Sequence, residues 1–170
     1  KKTKLPQIIV DPPGPISRKL HSKATKYMKG YSSQVRLFPV VFEKGKGYTL
    51  TDVDGNTYID FSSGIYVTGC GHSHPKITKA IQKQVGKLMN CHDFTTRVKL
   101  EFLEKLAEIT PGDLNGIQLY SDGTSAVEAG IRAGRAATNN FEFISFWHDF
   151  HGKSLGSVSL AYMTPDKGIR

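Results

Sequence analysis

The stretch from Ile117 to Trp147 constrains the fold of this chain more than any other. It opens with a short apolar run, Ile117-Gln118-Leu119-Tyr120, followed by a polar, glycine-containing turn, Ser121-Asp122-Gly123-Thr124. A segment of small residues suited to a helix then runs to about Thr138, and a second β-rich run occupies Phe143 to Trp147. Two strand-like runs joined through a helix can lie side by side as parallel neighbours, because a crossover of that length spans the face of a sheet. Ala126, Ala129, Gly130, Ala133 and Gly134 would let the helix pack closely on that sheet. Alternation of this kind predicts an α/β layer with helices packed on strands.

Upstream, the period is different. Pro39–Glu43, Tyr48–Asp52 and Thr57–Phe61 are rich in β-branched and aromatic residues, with Lys44–Gly47 and Asp54–Asn56 between them. Glycine and Asx residues at those gaps supply the backbone that tight hairpins need, so a small antiparallel meander is expected. After Pro75, Ile77, Ile81, Val85 and Leu88 recur at helical spacing. A second amphipathic helix is expected from about Thr96 to Ile109, stopped by Pro111-Gly112-Asp113, with Val98, Phe102, Leu103 and Leu106 forming a core face.

Charge separates the start of the chain from the rest. The formal net charge is +8, and the first thirty positions hold eight basic side chains against Asp11 alone. Asp11-Pro12-Pro13-Gly14-Pro15 restricts that leader to extended and turn backbone, with a short helix expected over Ser17–Met28. It reads as a solvated arm and not as a nucleic-acid or membrane surface, since its charge is not interleaved with aromatics on a folded face. Cys70 and Cys91 form no CxxC pair, and no apolar run reaches membrane-spanning length, so a cytoplasmic setting is expected. Both ends of the chain look cut.

Two loops offer chemistry. The Ser121–Ser125 turn would open a helix whose free N–H groups and dipole favour an anion; the plainer alternative is an ordinary capped helix, with Asp122 or Ser121 as the cap. His148-Asp149-Phe150-His151-Gly152-Lys153-Ser154 would stand at the carboxyl end of a strand, where α/β sheets bind ligands. Phe150 could there hold a flat ligand, or simply be a core residue beside surface histidines. No metal site is expected, because His148 with His151, or His72 with His74, lacks a carboxylate or thiolate partner at ligand spacing.

Four blocks in order resemble the class III aminotransferases, from about Lys46 to Leu160. They are Asp52-Val53-Asp54-Gly55-Asn56-Thr57-Tyr58-Ile59-Asp60-Phe61-Ser62-Ser63-Gly64-Ile65, then Gly71-His72-Ser73-His74-Pro75, then Asp122-Gly123-Thr124-Ser125-Ala126-Val127-Glu128-Ala129, then Phe150-His151-Gly152-Lys153-Ser154. The resemblance implies a fold-type-I enzyme, normally a homodimer more than twice this length, using pyridoxal 5'-phosphate to move an amino group from an amine or amino acid to a 2-oxo acid. It implies an arm over 1–30, a small-domain segment with the meander over 31–70, and the first part of a cofactor-binding large domain over 71–170. That domain is a mostly parallel sheet with helices on both faces.

By position, the resemblance gives Gly123 and Thr124 to the cofactor phosphate, Phe150 to the face of its ring, and His151-Gly152 to the shape of the loop. Ile65 and Lys153 match substrate-pocket positions, although arginine is commoner at the latter and lysine is a poorer bidentate partner. Asp122 stands where relatives commonly have Ser, and Ser125 where they have Glu. A carboxylate beside a phosphate is repulsive unless it turns to cap the helix, so Asp122 reads as a cap. The family's lysine that binds the cofactor covalently, and its aspartate that pairs with the ring nitrogen, correspond to positions after Arg170. No catalytic residue is therefore assigned here, the 170 residues alone are expected not to transaminate, and association with a C-terminal companion or a second copy is expected. The alternatives are a non-catalytic fragment that keeps only phosphate or partner binding, and a small anion-binding domain that merely resembles the family.

Overall fold

The computed structural model describes residues 4–28 and 33–160; the remaining parts of the arm, of the 31–70 segment and of the 71–170 segment lie outside the described residues. The chain separates into two compact units, Lys1–His92 and Asp93–Arg170.

In the first unit, β1 (Phe42–Lys46), β2 (Thr49–Asp52) and β3 (Thr57–Ile59) form the expected antiparallel meander. Gly45 pairs with Leu50 and Leu50 with Tyr58, and the Thr51 and Thr57 hydroxyls meet 3.3 Å apart across the ladder. One expectation shifts. Lys44, Gly45 and Lys46 belong to β1, so the hairpin turns at Gly47-Tyr48. The shift follows from the pairing: Lys46 faces Thr49, a register that leaves only two residues for the loop.

The β2–β3 turn is organised by polar side chains. Asp52 Oδ1 accepts from the Asp54 and Asn56 N–H groups at 2.9 and 2.8 Å, while Oδ2 accepts from Asn56 Nδ2 at 2.9 Å and the Tyr58 hydroxyl at 2.7 Å. Both Asp52 and Asn56 are fully buried. Burial is tolerable because each polar atom finds a partner; an unmatched one would cost about 1–3 kcal/mol. Tyr58 receives the edges of Phe38 and Phe42. Its hydroxyl is pushed up to about 12, first by burial and then by its bond to Asp52.

The described part of the leader is fastened to this turn. Gln7 and Thr57 exchange backbone hydrogen bonds at 2.9 and 2.8 Å, and Asn56 Oδ1 accepts from the Ile9 and Val10 N–H groups at 2.7 and 2.9 Å. Helix α1 (Pro15–Ala24) starts two residues before the expected helix and ends four before Met28. Pro15 suits its first position, and its Gly14 N-cap supplies no side chain. Asp54, 38 and 37 positions downstream of the two donors, does that work: its carboxylate oxygens accept from the Ile16 and Ser17 N–H groups, each at 2.8 Å. Burial raises the Asp54 pKa, but hydrogen bonds from the Ser17 hydroxyl and from the Ser17 and Ile16 N–H groups outweigh it and leave the carboxyl below its ordinary value.

The sheet is preceded by a short helix, α2 (Ser33–Leu37), and followed after β3 by α3 (Ser63–Tyr66). α3 is a left-handed turn, with φ of 50, 62, 62 and 65° at Ser63, Gly64, Ile65 and Tyr66. Helix α4 (Pro75–Val85) begins at the expected proline and ends before Leu88. Next to β3, Asp60 Oδ1 accepts from the Ser62 and Ser63 N–H groups, and Oδ2 lies 2.7 Å from His72 Nε2. The His72 backbone in turn pairs with Gly47.

The second unit contains α5 (Arg97–Ile109), α6 (Gly123–Thr138) and α7 (Leu155–Ser159). Thr96 caps α5 by accepting from the Lys99 N–H at 3.2 Å. After α6 the chain folds back, so that Arg135 lies 5.6 and 5.7 Å from the ring centres of Phe141 and Phe143. The apolar runs Ile117–Tyr120 and Phe143–Trp147 are not paired into strands; among the described residues the sheet is the three-stranded meander. A strand exists only through its neighbours' ladder hydrogen bonds, and among the described residues neither run belongs to a ladder. The expected core face of α5 is half open, with Val98 and Phe102 exposed. Among the described residues no hydrophobic side chain is buried. No described helix is long and apolar enough to cross a membrane.

Candidate functional site

Helix α6 begins where the polar turn ends, and its cap is Asp122. One carboxylate oxygen accepts from the Ser125 N–H at 2.8 Å; the other accepts from the Ser121 and Ser125 hydroxyls at 2.9 and 2.8 Å. The Ser125 N–H and hydroxyl, then the Ser121 hydroxyl, hold the Asp122 carboxyl below its ordinary value, with the Thr124 N–H contributing least. Asp122 is therefore an ionised cap turned onto its own helix, as its position in the sequence implies. Gly123 is exposed, and a Cβ built on it would meet no atom within 4 Å. The Gly123 N–H has no acceptor within the helix, and the Thr124 N–H makes only the least of the contributions to the Asp122 cap.

The second loop comes directly against this turn. Gly152 is buried with φ +125°. A Cβ there would stand 2.7 Å from Ser157 Oγ and 2.8 Å from Thr124 Cγ2, and closer still to Thr124 Oγ1. Only glycine fits, for want of space as well as by backbone conformation. The structure thus brings Thr124 and Gly152 into contact. The Phe150 ring, two residues away, is 71% exposed. His151 Nε2 lies 3.6 Å from Asp149 Oδ2, and Lys153 is exposed. Ile65 lies in the other unit, 68% exposed, at φ 62° and ψ 59°, a backbone that a β-branched residue adopts only under strain.

One carboxylate that the sequence offered only as part of a motif block is built into this arrangement. Glu128 Oε1 accepts from the Gly156 and Ser157 N–H groups at 2.9 and 3.0 Å and from the Ser154 hydroxyl. No local spacing announces this, because the partners lie twenty-six to twenty-nine positions downstream.

The donor set is one that suits a phosphate: backbone N–H groups and a hydroxyl at the positive end of a sixteen-residue helix. An accessible aromatic ring on the adjoining loop suits a flat group joined to that phosphate. Among the described residues no cluster of three or more His, Cys, Asp or Glu could hold a metal.

Similarity to known proteins extends over most of the chain. The family described as aminotransferase class-III matches residues 30–167. The acetylornithine aminotransferase of Methanosarcina mazei is 38% identical over 142 residues, covering 82% of this chain and 34% of that protein. The alanine/serine racemase of Pyrococcus horikoshii is 33% identical over 158 residues, covering 92% and 33%. Among solved structures, a transaminase from a marine Virgibacillus superposes with a TM-score of 0.76 at 27% identity, over 85% of this chain and 36% of that one. A transaminase with PLP bound does so at 0.74 and 30% identity, over 84% and 34%. The chain spans about a third of the length of the curated relatives it matches.

Proposed function

Since the chain belongs to the class-III aminotransferase family, whose cofactor is pyridoxal 5'-phosphate, we propose that it serves as the N-terminal part of an enzyme moving an amino group from an amine or amino acid to a 2-oxo acid. The observation that carries this reading is the contact between Gly152 and Thr124, which joins the anion-binding turn to the aromatic loop. When bound, the cofactor supplies the carbonyl that takes the amino group and the ring that accepts electron density. This chain's residues hold and orient it. The Gly123 N–H and the Thr124 N–H and hydroxyl receive the phosphate, Phe150 covers the ring face, and His151-Gly152 set the course of the loop. Asp122 stays off the phosphate because its oxygens are occupied by the cap.

Lys153 and Ile65 are assigned to the substrate side, Lys153 as the partner of a substrate carboxylate. The lysine that attaches the cofactor and the carboxylate at its ring nitrogen are assigned to the part of the relatives' length that this chain does not match. The division into an arm over 1–30, a small-domain segment over 31–70 and the start of the cofactor domain over 71–170 goes with this reading. So do a cytoplasmic homodimer and small-molecule partners, without nucleic acid or membrane. The exposed apolar faces of α4 and α5 support a need for further protein surface.

The test is spectroscopic. A polypeptide of the relatives' full length is expected to show a cofactor absorbance band that borohydride fixes onto a lysine, and to turn over an amino donor with a 2-oxo acid. The 170-residue chain by itself is expected to show neither. A full-length protein that takes up no cofactor sinks the reading.

A further inference from the structure

We propose that Glu128 is a positioning residue that locks the aromatic loop to the phosphate turn, and so sets where the cofactor ring lies relative to its phosphate. The inference rests on the cofactor reading given above. Thr124 and Glu128 are four residues apart on α6 and thus share one face of the helix. Each grips the same downstream segment at a different point. Thr124 abuts Gly152, while Glu128 reaches the first turn of α7 through the Gly156 and Ser157 N–H groups and the Ser154 hydroxyl. Two contacts one helical turn apart fix both the distance and the tilt of the segment; either alone would leave a hinge.

The fit around the carboxylate is close. A Cβ built on Gly156 would stand 2.8 Å from Glu128 Oε1 and 2.9 Å from its Cδ. Ser157 is fully buried, and its hydroxyl accepts from the Ser154 N–H at 3.1 Å, closing the segment on itself. Three donors converge on one oxygen, an arrangement a charged acceptor satisfies far better than a neutral amide. The Ser154 hydroxyl and then the Ser157 N–H hold the Glu128 carboxyl below its ordinary value, against the opposing effect of burial, with Arg132 one further turn along adding to them.

None of these atoms touches the anion-binding N–H groups. Removal of Glu128 therefore leaves the phosphate donors intact and releases the loop that carries Phe150. In the full-length protein, the cofactor dissociation constant is to be measured by titrating the apoprotein of wild type, Glu128→Gln, Glu128→Ala and Gly156→Ala. Ring placement is to be followed by the induced circular dichroism of the bound cofactor. The expected result is about tenfold weaker binding for Glu128→Ala, a size set by losing charge-assisted hydrogen bonds. Glu128→Gln and Gly156→Ala should weaken it in the same direction, each with a reduced dichroic band.

Wild-type affinity and dichroism in folded Glu128→Ala overturn the inference and leave the cofactor reading standing. If the alanine variant does not fold, Glu128→Gln decides by the same criterion. A wild-type protein that binds no cofactor defeats the cofactor reading itself, and this inference with it.

Discussion

The turn around Asp52 and Asn56 and the helices α4 and α5 are built on opposite terms. In the turn, buried polar atoms satisfy one another, and the leader and the meander supply all the donors and acceptors. In α4 and α5 much of the periodic apolar pattern stands open, with Ile81 57% and Phe102 50% exposed. Hydrogen-bonded turns can be completed by residues already present. Amphipathic faces cannot, because their stabilisation comes from covering about 25 cal/mol for each square ångström removed from water, and something must do the covering. The difference separates what this stretch of chain accomplishes by itself from what it leaves to other surfaces.

The sharpest way to break that contrast is Asn56→Ala. The change strands the Ile9 and Val10 N–H groups and two oxygens' worth of partners at Asp52 and Tyr58. An unfolding free energy lower by about 2–3 kcal/mol is expected, together with faster amide exchange at Ile9 and Val10. Exchange at those two amides equal to wild type would show that the leader is held by something else.

A smaller loss is expected from Gly152→Ala in the second unit. There the new methyl must displace the Thr124 and Ser157 side chains and sit at φ +125°. A cost of about 1–2 kcal/mol follows from strain and overpacking. Denaturant midpoints of the two variants side by side test the order.

The smallest effect is one of pH. The His72 ring first, then the Ser63 N–H, hold the Asp60 carboxyl below its ordinary 3.8 against partial burial. Its contribution is thus fully present above that value and is lost as the pH falls through the lower folded value. The thermal midpoint of wild type should approach that of Asp60→Asn as the pH falls through that lowered value, because the protonated carboxyl, like the amide, carries no charge for His72 to pair with. Parallel curves across the whole acid range would remove Asp60 from the account.

Local signals were readable in the sequence wherever the partner lies within a few residues. Asp122 two positions before Thr124 announces a cap, Thr96 opens α5, and Asp54-Gly55-Asn56 marks the β2–β3 hairpin. The four ordered blocks carry the family. The Gly123-Thr124 turn and the Gly152 loop were legible as separate candidates, but their contact was not. Long-range polar ties were silent: nothing near Ile9 points to Asn56, nothing near α1 points to Asp54, and nothing near Glu128 points to Ser154. The apolar runs at 117–120 and 143–147 show the converse. Their composition suits a strand, yet pairing depends on neighbours that composition cannot supply.

The acceptors for the leader's N–H groups at residues 9, 10, 16 and 17 all come from Asp54 and Asn56. During synthesis the leader leaves the ribosome well before those acceptors do. These leader residues are thus made before the groups that secure them, and until the β2–β3 hairpin has emerged they are open to proteases and chaperones.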